Sequence, residues 1–287
     1  MSVLYYKEFA VRLSGLLPEE RLPALKQYLS EIQDAELRSQ AARYLVSFQA
    51  GVDDTPETVF VLLHGIRTAG AWQDRLAQLL KVERQLIALP VKYGVFGVLR
   101  FLIPPLRGRA YALTQRHLSN VREVYPQAKI VVVAHSFGTY IVTRLLAEKR
   151  CLVDRLLLCG SVVPHEFDWK TAFPAATRSN VINDVGTKDV WPIIAHATSY
   201  GCGASGFLGF GNPCVTDRFH PLRHSDFFTD SHIEEYWLPF LLEGRVAPSK
   251  HTEERSEISW FSGLICSLPN AFVTLGVVAI VAYWAVL

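Results

Sequence analysis

The stretch best suited to chemistry is Val132-Val133-Ala134-His135-Ser136-Phe137-Gly138-Thr139-Tyr140. A buried-strand pattern ends there, one histidine intervenes, and a serine stands where helical spacing begins. A sharp strand-to-helix turn of this kind lifts a serine hydroxyl above the edge of a sheet, where it can act as a nucleophile. Only small residues fit two positions before and after the serine, because bulk there clashes within the turn. Ala134 and Gly138 meet that demand, with Ala134 standing where glycine is more usual. The helix start adds the backbone N–H of Phe137 as an oxyanion donor, with the positive end of a helix dipole behind it.

A serine so placed needs a sheet beneath it, and the flanking sequence supplies one. Residues 58–63 are a continuous apolar run ending in His64-Gly65, the pattern of a strand buried on both faces. Helical spacing over 71–82 and a strand-like run over 85–89 follow. Residues 107–124 are again helical in pattern, and 128–134 form another buried strand. A helix over 137–149 and strands over 154–159 and 180–185 continue the alternation. Strand and helix in alternation predict the α/β class, a mainly parallel sheet with helices on both faces. No internal repeat is visible. Residues 3–49 have helical spacing (Leu25, Tyr28, Leu29, Ile32), and Pro18 and Pro23 divide them into at least two helices. The expected organisation is an N-terminal helical appendage over 1–51, an α/β domain over 57–243, a charged linker over 244–259 and an apolar tail over 260–287.

The pairing of the Ser136 turn with His64-Gly65 after an earlier central strand resembles the α/β-hydrolase superfamily, of the esterase and lipase kind. The resemblance spans residues 58–242, and the His64-Gly65-Ile66-Arg67-Thr68 form is similar to that of a group of bacterial hydrolases. It implies the backbone N–H of Ile66 as second oxyanion donor, with Gly65 allowing close approach to the substrate and His64 structural. The family order is nucleophile, then acid, then histidine. Its acid lies in a loop of the form Gly-x-x-Asp-x-x-Pro, which Asp189 matches within Gly186-Thr187-Lys188-Asp189-Val190-Trp191-Pro192. Asp184, nearer the strand end, is the alternative. Its base lies between the last strand, here 214–222, and the last helix, here starting at the N-cap candidates Asp230 or Ser231. His224 falls in that loop, whereas His220 falls in the strand and His232 in the helix; His220 is the second choice. The resemblance therefore implies hydrolysis of an ester or thioester through an acyl-enzyme, with no metal and no organic cofactor.

Two apolar stretches bear on the substrate: 95–106, between the second strand and the next helix, and the glycine-rich 206–211. Each reads as an acyl-chain pocket or lid, or as ordinary core. Residues 260–287 contain no Asp, Glu, Lys or Arg. A helix over 270–287 alone spans about 27 Å at ~1.5 Å per residue, nearly a hydrocarbon core of roughly 30 Å. Trp260 and Phe261 precede it, Tyr283 and Trp284 lie toward its far end, and Arg245, Lys250 and Arg255 lie upstream. A single-pass anchor with a cytoplasmic catalytic domain is the expectation, and it makes a lipid the favoured substrate. Residues 1–20 lack the uninterrupted apolar run of a secretory signal. The five cysteines are odd in number and irregularly spaced, which fits a reducing compartment rather than a disulfide framework or zinc site. A net charge of +2 without a basic cluster gives no basis for nucleic-acid binding. The rival readings are a membrane-tethered scaffold or sensor built on the hydrolase fold, and a protein thioesterase. No protein partner is implied for the N-terminal helices.

Overall fold

In the computed structural model the described residues are 16, 18–32, 38, 57–65, 71–84, 87–91, 101, 104–251 and 276. Ile66, the expected tail over 260–287 apart from residue 276, most of the stretch 95–106 and much of the N-terminal segment lie outside them. Among the described residues, no helix is long and apolar enough to cross a membrane.

The chain forms two compact units: residues 1–57 with 120–128, and residues 58–119 with 129–287. In the first, helix α1 (Pro18–Glu31) buries Leu25 and Tyr28, and Ile32 is buried just beyond it, as the three- and four-residue spacing predicts. Pro23 does not break this helix, contrary to expectation. Pro23, the sixth helical residue, forfeits one backbone hydrogen bond, but the buried stripe of Leu25 and Tyr28 continues beyond it.

The second unit is built on six parallel strands: β1 (Thr58–Leu63), β2 (Ile87–Val91), β3 (Lys129–His135), β4 (Arg155–Cys159), β5 (Val181–Gly186) and β6 (Thr216–His220). Their order is β2-β1-β3-β4-β5-β6. The helices that matter below are α2 (Ala71–Arg84), α3 (Gly108–Val124), α4 (Phe137–Ala147) and α5 (Trp191–Thr198). Val59 to Leu63 and Val131 to Ala134 are fully buried, which is why these strands read as unbroken apolar runs. On one face Phe60, Leu62, Val131, Val133, Leu157 and Ile182 pack with Trp72, Leu76 and Leu80 of α2 and with Tyr236, Trp237 and Phe240 of the terminal helix. Residues of α4 take no part in that cluster; Ile141, Val142 and Leu145 are buried elsewhere.

Four local expectations change. β6 is shorter than 214–222 and stops at His220, before Pro221, which cannot donate to a ladder. The terminal helix starts at Asp230 with Thr229 as its N-cap, then winds in wide π turns over Ile233–Trp237 and Pro239–Glu243, on either side of Leu238. Within residues 206–211, Phe207 and Phe210 are buried, while Leu208 is exposed. Phe207 joins Ile193 and Ala204, and Phe210 meets the Trp169 ring edge-on at 5.2 Å. Gly206 is there for close packing, since a Cβ would lie 2.2 Å from the Ser161 nitrogen. The start of the expected linker belongs to the fold: Ser249 is buried and donates its hydroxyl to the Phe219 carbonyl at 2.5 Å.

The order of strands fixes where a site can form. From β1 the chain proceeds outward to β2, and from β3 it proceeds the other way to β4. Between these oppositely directed connections, the carboxyl ends of β1 and β3 leave a crevice. Leu63 pairs with Ala134 there, so His64-Gly65 and His135-Ser136 emerge side by side.

Candidate active site

Ser136 sits at the turn from β3 into α4 with φ 53° and ψ −122°, a conformation that L side chains rarely adopt. Its N–H donates to the Cys159 carbonyl at 3.0 Å, pinning the turn to the end of β4. Gly138 must be small, because a Cβ there would lie 2.7 Å from the Leu63 oxygen; Ala134 is fully buried in β3. Gly65 is closer still to the serine: a Cβ on it would stand 2.6 Å from the Ser136 Cβ and 3.0 Å from its Oγ. His64 is buried, with Nδ1 2.6 Å from the Gly65 carbonyl oxygen. Ile66 lies outside the described residues; Phe137 opens α4 and its side chain is fully buried.

Asp189 and His224, the expected acid and base, meet. His224 Nδ1 lies 2.7 Å from Asp189 Oδ2, and the Asp189 side chain is buried while the imidazole is partly exposed. The other carboxylate oxygen accepts the backbone N–H of Trp191 at 3.0 Å, which fixes the carboxylate plane. The imidazole rests on Gly160, whose φ is +54° and where a Cβ would lie 2.9 Å from the ring. Gly160 follows Cys159, the residue that receives the Ser136 N–H, so serine and imidazole converge at the same sheet edge. Neither Ser136 Oγ nor His224 Nε2 has a hydrogen-bond partner among the described residues. In ligand-free catalytic sites such contacts are often long and tighten only around substrate.

Asp184, the alternative acid, serves elsewhere. Its carboxylate receives Arg218 Nε at 2.6 Å, Arg218 Nη2 at 2.9 Å, the Trp237 indole N–H at 2.8 Å and His232 Nε2 at 3.3 Å. His220 Nε2 stands 3.5 Å away, and its ring packs edge-on against His232 and Tyr236. Burial alone would raise the Asp184 carboxyl, but the Arg218 guanidinium and the neighbouring imidazoles outweigh it and hold the group well below its usual range. Asp184, His220 and His232 bring potential ligand atoms within 4.8 Å of one another. The guanidinium occupies both carboxylate oxygens and balances their charge, so this is an ion-pair network rather than a cation site. It ties β5 and β6 to the terminal helix, behind the loops carrying Asp189 and His224.

Three features were not legible in the sequence. Arg218 carries no motif, and only its place on β6 beside Asp184 reveals it. His135 reaches the His224 backbone, as described below. An exposed apolar rim borders the imidazole: Val190, Trp191 and Ile194 are 54%, 57% and 40% exposed, and the Trp191 and His224 rings lie 6.3 Å apart. An open cleft of about 540 Å³ runs there between Lys188, Trp191, Arg223 and His224.

Residues 60–267 match the Alpha/beta hydrolase family. The chain belongs to that family. Its parallel sheet, its elbow at the end of β3 and its carboxyl-end crevice are that fold. Among solved structures the chain is similar to an uncharacterized protein from Bacillus cereus, at 12% identity over 85% of this chain and 88% of that one (TM-score 0.47). It is similar to TT1662 from Thermus thermophilus, at 14% identity over 63% and 86% (TM-score 0.42). It is also similar to a cold-adapted esterase from an Arctic intertidal metagenomic library, at 17% identity over 67% and 85% (TM-score 0.45). No curated protein matches the chain.

Proposed function

We propose that the protein is a membrane-anchored serine hydrolase that cleaves an ester or thioester bond, with a lipid-type substrate. The observation that carries this reading is Ser136 in its strained turn beside the buried Asp189–His224 pair. Ser136 Oγ attacks the substrate carbonyl carbon while His224 Nε2 takes the hydroxyl proton. The tetrahedral oxyanion is held by the backbone N–H groups of Phe137 and Ile66. Collapse expels the alcohol or thiol, which leaves with the proton from His224, and the acyl group stays on Ser136. Water, activated by the same imidazole, then releases the acid. Asp189 keeps the proton of His224 on Nδ1, so that Nε2 is the basic nitrogen, and stabilises the imidazolium.

Two observations support a lipid. The rim of Val190, Trp191 and Ile194 presents exposed apolar surface beside the imidazole, and residues 260–287 carry no charged side chain. The test is turnover by the full-length chain in mixed micelles of short- and long-chain esters, phospholipids and acylated thiols. Hydrolysis of long-chain lipid esters that is lost in Ser136→Ala fits the proposal. Turnover that survives Ser136→Ala, or none on any ester or thioester, contradicts it.

A further inference from the structure

The residue between Ala134 and the serine had no assigned role in the sequence. The alternation of β3 turns its side chain away from that of Ser136, and it is fully buried. There it enters an aromatic box, with its ring edge-on to Trp72 at 6.4 Å and to Phe228 at 4.9 Å, and 4.5 Å from the His224 ring. Its Nε2 is 2.9 Å from the backbone carbonyl oxygen of His224. A carbonyl only accepts, so the proton sits on Nε2 and Nδ1 carries the lone pair. Among the described residues that Nδ1 has no hydrogen-bond partner, and it lies 3.3 Å from where a Cβ on Gly65 would stand.

We infer that His135 is a positioning residue, whose Nε2–H fixes the backbone of His224 and so sets the imidazole's place over Ser136. This rests on the proposal that Ser136 and His224 are nucleophile and base. The base sits on a loop, where Asp226 closes a turn on the Arg223 N–H and carbonyl. The His135 donor adds a fixed point on the main chain of His224 itself, from the residue next to the nucleophile. Movements of the elbow and of the base loop are thereby coupled. Phe228 strengthens the hold by stacking on Trp72 at 4.7 Å. Burial, followed by the nearby His224, pushes the His135 imidazole well below its usual range.

A residue that serves only to fill the core predicts a different outcome from one that positions the base. His135→Phe keeps the ring in its aromatic box and removes a buried nitrogen without a partner among the described residues, which by itself favours the folded state. It also removes the donor to His224. His135→Gln places an amide N–H near the Nε2 position and restores that donor. The full-length proteins are compared by thermal melting, by kcat and KM on a short-chain ester, and by the rate of fluorophosphonate labelling. With a misplacement of up to an ångström in the base, His135→Phe should lower kcat and labelling rate by about 10- to 100-fold at nearly unchanged KM. Its Tm should equal or exceed that of the parent. His135→Gln should recover activity to within roughly threefold of the parent. A Phe variant as active as the parent, or one whose lost activity tracks a lost Tm without recovery in Gln, overturns the inference while leaving the hydrolase proposal standing. A parent protein that neither labels nor turns over overturns both.

Discussion

Replacing Gly65 by alanine tests the close approach of the two loops at the heart of the site. The new Cβ would stand 2.6 Å from the Ser136 Cβ, 3.0 Å from Oγ and 3.3 Å from His135 Nδ1. Carbon atoms in contact normally sit about 3.5–4.0 Å apart, so the overlap with the serine is about 1 Å. Neither side yields cheaply. The Ser136 Cβ is one bond from a backbone held by Cys159 and by the start of α4, and the His64-Gly65 loop leaves directly from β1. A shift of about 1 Å at a reacting group costs on the order of 100-fold in rate, or about 2.7 kcal/mol of transition-state stabilisation. Gly65→Ala should therefore lose on the order of 100-fold in kcat/KM on a short-chain ester. Overpacking should destabilise the fold by roughly 1–3 kcal/mol, leaving it folded at assay temperature. Gly108→Ala is the matched control, because a Cβ there meets nothing within 4 Å; it should leave kcat/KM unchanged and stability equal or higher by up to about 1 kcal/mol. A Gly65→Ala protein within threefold of the parent in kcat/KM, on thermal melts showing both folded, would refute the claimed proximity of these loops.

Other outcomes follow from the same geometry. Asp189→Asn should preserve the fold but lower kcat by about 10³- to 10⁴-fold, since the amide can hold the wrong imidazole tautomer; steady-state kinetics and a melting curve check both halves. Asp184→Asn leaves the Arg218 guanidinium buried without its counter-charge and should destabilise the fold by about 3–5 kcal/mol, measured by denaturant unfolding. The pH dependence has the matching sign. The folded carboxyl of Asp184 is depressed, so its contribution is present in full above the unfolded value of 3.8 and is lost as pH falls below it. Urea unfolding in steps from pH 6 to pH 3 should show a steeper decline for the parent than for Asp184→Asn. Arg75→Ala breaks the half-exposed pair with Asp230 and should change stability by less than about 1 kcal/mol.

What was legible in the sequence was what steric rules and strand periodicity impose locally. Ala134 and Gly138 could be read as necessary small residues because the turn itself demands them, and Gly138 indeed packs on the Leu63 carbonyl. The runs 58–63 and 128–134 identified central strands because a strand buried on both faces leaves no room for polar alternation. The Gly-x-x-Asp-x-x-Pro match favoured Asp189 over Asp184, but the role of Asp184 was not local. Both stand near the end of β5, and what separates them is Arg218, paired across from Asp184 in the neighbouring strand. Glycine misled at 206, where tight packing, rather than mobility, requires it. Pro23 misled because a buried stripe further along the helix outweighs one missing backbone bond. The hold of His135 on His224 joins residues 89 positions apart and left no signal at all.

The central claim is that Ser136 is the nucleophile, and mass spectrometry of the fluorophosphonate-treated full-length protein tests it most directly. The account predicts one adduct per chain on intact protein, mapped by peptide sequencing to Ser136, and no adduct in Ser136→Ala folded to the same Tm. An adduct on another residue, or equal labelling of parent and Ser136→Ala, would contradict it.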